Sequence, residues 1–124
     1  MIKFFFTNFL ISLSFFISTC VQAKDISLDR IEVYKTENGT FTREVVVWLK
    51  DANKDPLKFG ELIMTADMPS MPMAHRLPKV KARPGNEDGT YYAILPFEMK
   101  GEWAIKIEIL KPSPGMLVKK IHIK

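Results

Sequence analysis

Residues 67–75 read Asp-Met-Pro-Ser-Met-Pro-Met-Ala-His, which places three thioethers and an imidazole within nine positions, with two prolines between them. A methionine thioether is a soft, uncharged ligand suited to Cu(I), and imidazole serves copper in either oxidation state. In an extended strand Met71, Met73 and His75 project from one face, their roots roughly 6 to 7 Å apart. Methionine has three rotatable bonds with which to close that gap. Met68 can swing in from the preceding turn, while Pro69 and Pro72 stiffen the connection and reduce the entropy lost on binding. A plainer account competes with this one. Met71, Met73, His75 and Leu77 at alternate positions also describe the inward face of an edge strand, and methionine commonly fills irregular gaps in cores. On pattern alone filler is the simpler explanation, although four candidate ligands in residues 68–75 is denser than filler needs.

Other chemistries find less support. Asp51, Asn53 and Asp55 imitate the start of a calcium loop, but Pro56 and Leu62 stand where such a loop needs Gly and a bidentate Glu. These residues are better read as a tight turn. Asn38-Gly39-Thr40 fits a glycosylation acceptor, yet Asn-Gly between strands is already accounted for as a hairpin turn. No nucleophile elbow and no HExxH is present, and His75 and His122 are the only histidines. Asp67, Glu98 and Glu102 lie scattered among lysines and read as solvated edges and turns, so the chain is expected not to be an enzyme and no small-molecule substrate is expected.

The elements that must position the methionines begin after a leader. Met1-Ile2-Lys3 gives a short positive start, Phe4 to Ile17 is almost wholly apolar, and Val21-Gln22-Ala23 supplies small residues where a signal peptidase reads. Residues 1–23 are therefore expected to be a signal peptide and 24–124 the mature domain. Thr7, Asn8, Ser12 and Ser14 interrupt the apolar run, which falls short of the roughly 20 residues that a span needs. Cys20 half resembles a lipoprotein box, but Thr19 precedes it where Gly, Ala or Ser is usual. A membrane attachment is expected only if the leader stays uncut or Cys20 is lipidated. The mature chain has no cysteine, hence no disulfide and no thiolate ligand. Its charge, +4 over the whole chain, is spread rather than gathered into a stripe with stacking aromatics, which argues against nucleic acid.

Beyond Ala23 the chain reads as strands and turns. Trp103, Ile105, Ile107 and Ile109 alternate with Ala104, Lys106 and Glu108, the period-2 mark of a half-buried strand. Strands are expected near 26–35, 42–50, 59–67, 76–83, 90–97, 102–110 and 116–123, separated by segments rich in Gly, Pro, Asn and Asp. About seven short strands in a chain of this length imply an all-β, immunoglobulin-like antiparallel β-sandwich. Trp48, Trp103, Ile105, Ile107, Tyr91, Leu95 and Phe97 are its expected core.

"MPMAHRLPKV", followed by "DGTYYAILPFEMKGEW" and an alternating strand, resembles the YtkA-like domain family and its FixH-like relatives. The matching positions are Met71, Met73, His75, Leu77 and Pro78, then Gly89 and Tyr91, then Phe97, Met99, Gly101 and Trp103, across roughly residues 44 to 110. The resemblance implies an immunoglobulin-like sandwich exported to the cell envelope, among relatives suspected of handling copper or assisting oxidase assembly. Members often carry a second histidine near the first and another beside the Phe-x-Met signature. Met73 and Glu98 stand there instead, which either tilts the site toward Cu(I) or leaves it vestigial. Met99 is read as core, because Glu98 and Lys100 beside it look solvent-facing.

Two functions are therefore open. One is a periplasmic or otherwise secreted metal-binding protein holding Cu(I) through Met68, Met71, Met73 and His75 for delivery or sequestration. The other is a non-metallated module of an envelope complex for efflux or oxidase assembly. Mass spectrometry of the protein recovered from the envelope is expected to find the N-terminus at Lys24. A chain still beginning at Met1, or an acylated Cys20, would contradict the leader as drawn.

Overall fold

The computed structural model describes residues 26–124 apart from Asn38, Pro72 and Met73. The leader, Cys20 and one expected metal ligand, Met73, thus lie outside the described residues. Eight strands follow in order: β1 (Ser27–Lys35), β2 (Thr42–Lys50), β3 (Glu61–Asp67), β4 (Val80–Lys81), β5 (Arg83–Pro84), β6 (Thr90–Pro96), β7 (Gly101–Lys111) and β8 (Gly115–Ile123). Among the described residues there is no helix.

The strands form two four-stranded antiparallel sheets, ordered β1-β2-β6-β5 and β4-β3-β7-β8. That order is the ABED sheet against a C-F-G sheet carrying one extra strand, the arrangement of an immunoglobulin-like sandwich. Side-chain alternation explains how the layers close. Val45, Val47 and Leu49 of β2, Leu62, Met64 and Ala66 of β3, Tyr91, Ala93 and Leu95 of β6, and Trp103, Ile105, Ile107 and Ile109 of β7 all turn inward and are buried together.

Two expectations are corrected. Trp48 is not core: the parity that sends Val45, Val47 and Leu49 inward sends it outward, where the guanidinium of Arg30 covers its ring at 3.8 Å from the centroid. The single strand expected over 76–83 is instead two short strands that belong to different sheets. β4 pairs with β3, β5 pairs with β6, and Ala82 carries the chain across while its N–H donates to Leu62 O at 2.9 Å. Pro78 lacks the donor that one continuous strand over 76–83 would need.

The turn at Asp51 holds as read from its chemistry, while the Asn38-Gly39 turn rests on a residue outside the described ones. The Asp51 carboxylate accepts N–H groups of Asn53 and Asp55 at 2.9 and 3.0 Å, an Asx-type turn in place of a calcium loop. The buried hydroxyl of Tyr91 donates to Leu57 O at 2.6 Å and accepts the Gly60 N–H at 2.8 Å, tying the loop between β2 and β3 to β6. Tyr91→Phe leaves a buried carbonyl without its donor and is expected to cost about 1–3 kcal/mol. A thermal melt followed by circular dichroism checks this, with a fall in Tm of roughly 4–8 °C per kcal/mol for a domain of this size.

Candidate metal site at one end of the sandwich

The Met/His segment joins β3 to β4 and sits where β6 ends and β7 begins. Both of its flanks are fastened. On the incoming side Met68 is buried, and its Cε lies 2.9 Å from where a Cβ on Gly101 would be. On the outgoing side Leu77 donates its N–H to Ala66 O at 2.9 Å, and Thr65 Oγ1 donates to Leu77 O at 2.7 Å. Asp67, nearly buried, accepts from Lys106 Nζ at 2.8 Å, which gives that carboxylate the partner its burial demands.

Between these anchors the chain turns, whereas the spacing implied an extended strand. Met71 N–H donates to Met68 O at 3.0 Å, and the N–H groups of Ala74 and His75 both donate to Met71 O, at 3.2 and 3.3 Å. The bond from His75 to Met71 is an i to i+4 contact, a spacing that puts two side chains on the same side of a turn. Prolines at 69 and 72 explain the difference, since a ladder needs N–H groups that proline does not have.

The imidazole is held from several directions. His75 Nδ1 lies 2.7 Å from Glu98 Oε2, and its ring meets Trp103 edge-on with centroids 6.5 Å apart. Trp103 is completely buried, packs edge-on against Phe97 at 5.2 Å, and donates its indole N–H to Met99 O at 3.0 Å. Met99 itself is 36% exposed, which corrects its reading as core. Residues 97–100 leave β6 at Pro96 and bend back to Gly101, so Phe97 turns inward while Glu98, Met99 and Lys100 face water. Met71 is 39% exposed. Among the described residues, one imidazole with a carboxylate on its back shares this end with two accessible thioethers, Met71 and Met99, and one buried thioether, Met68.

Glu98 is the residue that sequence reasoning passed over. Its place beside the Phe-x-Met signature, where relatives often carry histidine, was the available signal. A carboxylate on Nδ1 fixes the tautomer that leaves a lone pair on Nε2, the usual arrangement behind a metal-bound histidine. Among the described residues no three His, Cys, Asp or Glu side chains are gathered as a metal-binding group. An imidazole and thioethers are soft or borderline groups, of the kind that suits a soft monovalent ion better than zinc or calcium.

An immunoglobulin-like β-sandwich with this loop pair at one end defines the class of protein. The family model described as YtkA-like matches residues 23–108, and the chain belongs to that family. No curated protein and no solved structure matches it.

Gly101 has φ +129, a conformation that L side chains rarely adopt, and the Met68 methyl group fills the space beside it. Gly101→Ala should therefore cost about 1–3 kcal/mol through backbone strain, with displacement of Met68 in addition. Denaturant unfolding of the two proteins measures it. An unchanged midpoint would mean that neither constraint is felt.

Proposed function

We propose that this protein is exported to the cell envelope and holds Cu(I) as cargo, for delivery or sequestration. In this reading His75 Nε2 and the sulfurs of Met71 and Met73 are the donors, with the buried Met68 assisting. The observation that carries the reading is the Glu98 carboxylate 2.7 Å from His75 Nδ1, which orients a partly exposed imidazole that packing alone does not require. Family membership supports the envelope, and the leader expected from the sequence over residues 1–23 is consistent with it. A cysteine-free thioether site suits an oxidising compartment, because it offers no thiol to oxidise.

Leucine matches methionine closely in volume, so the double variant Met71→Leu, Met73→Leu should cost less than about 1.5 kcal/mol of stability per swap. It should nonetheless lose Cu(I) to a calibrated chelator that the parent resists. Equal retention by both would leave the segment as packing and favour the envelope interaction module. Glu98→Leu should weaken Cu(I) binding by roughly 10–100-fold through the histidine it no longer orients. Thioethers need no deprotonation, so affinity should fall with pH only as a proton competes for the imidazole nitrogen. Chelator competition at several pH values reads both effects, and a profile flat in acid would remove His75 from the ligand set.

A further inference from the structure

The opposite end of the sandwich holds a second feature. There the loop that leaves β2 and the loop that enters β6 enclose a cleft of about 440 Å³, a size that suits a small ligand. Phe59 stands on its rim, 94% exposed, with φ +56. A left-handed backbone is unfavourable for a phenylalanine, and so is a benzyl side chain left in water. The residue does not adopt this pose through looseness. Leu57 is buried and donates its N–H to Leu49 O at 3.0 Å, and the Tyr91 hydroxyl fixes Leu57 O and Gly60 N–H on either side of the tip.

Thr90 lines the same cleft. It is 9% exposed, and its Oγ1 is buried without a hydrogen-bond partner among the described residues. Native structures rarely leave such a group unsatisfied. The far wall carries Glu87 and Asp88, and against these two carboxylates the cleft sets one cation, Lys58, whose ammonium is 3.7 Å from Asp88 with both side chains well exposed. Such an exposed pair holds its charges weakly. Among the described residues Glu87 has no ion pair.

We propose that this cleft binds a cation carried on an apolar stem, a primary ammonium or a guanidinium, with the charge at Glu87 and Asp88, the stem against Phe59 and Thr90 Oγ1 as acceptor. An aromatic face beside a carboxylate is the arrangement that attracts such groups. The same chemistry occurs in a free amine and in an arginine side chain of a peptide. The carboxylates disfavour an anionic lipid surface, which would otherwise be a natural target for an exposed phenylalanine.

Amide chemical shifts of Gly60, Gly85, Gly89 and Thr90 in the mature protein, titrated with agmatine and separately with acetyl-Gly-Arg-Gly-amide, test the proposal. Saturable shifts with either probe support it, and which probe binds tells a free-amine site from a peptide site. The neutral citrulline analogue of the peptide should produce none. Phe59→Gly should weaken binding about two- to fivefold without lowering Tm, because glycine accepts a positive φ unstrained. Glu87→Gln should weaken it by a smaller factor. No saturable shift with either cation, equal binding of the citrulline analogue, or capture by anionic vesicles in place of the cations would overturn the proposal. So would a Phe59→Gly variant that melts lower yet binds as the parent does.

Discussion

The indole of Trp103 is the constraint on which the Met/His end depends. Burying an aromatic side chain of that size removes roughly 150–250 Å² from water, provided its N–H finds an acceptor. The acceptor is Met99 O, which forces residues 97–100 to fold back over the ring. That fold brings Phe97 inward against the indole and turns Glu98 outward toward His75, whose ring meets the indole edge. Gly101, two residues before Trp103, adopts the positive φ that the return requires and leaves room for the Met68 methyl. One buried side chain thus sets the loop that carries Glu98 and backs the imidazole that Glu98 orients.

The other end is organised in a parallel way, by a phenol in place of an indole. Tyr91 begins the inward-facing row of β6, and its hydroxyl is satisfied by the loop that displays Phe59. In both cases an aromatic ring anchored in the sandwich extends a polar atom to the end of the core and fixes backbone there. Loops fixed in this way lose little further entropy when they bind, which is the physical meaning of a preorganised site.

The fold was largely legible in the sequence because its signal is periodicity. Trp103, Ile105, Ile107 and Ile109 alternate without a break, and each is buried. Parity within a continuous apolar run was not legible: Val45, Val46, Val47 and Trp48 all look buriable, and only pairing decides that Trp48 goes outside. The crossing at Ala82 was hidden for a similar reason, since a strand that changes sheets keeps its composition. At the candidate site the residue types announced soft-donor chemistry, but spacing suggested a strand where the prolines produce a turn. The link between His75 and Glu98 spans 23 positions, and no local pattern carries such a contact.

The edges explain why both proposed sites are at the ends. A nine-residue edge strand offers unpaired N–H and C=O groups to any passing chain. β1 and β8 are such strands, and each carries a deterrent. β1 is bulged between Leu28 and Arg30, which breaks the regular row of donors and acceptors. β8 places Lys119 on the same parity as Leu117, Ile121 and Ile123, so a foreign strand would bring its apolar side chains against an ammonium. At the opposite edges β4 and β5 are two residues long, and Pro84 removes a donor from one of them. With its sides closed to strand addition and its interior filled, the sandwich keeps accessible, preorganised polar groups at its two ends.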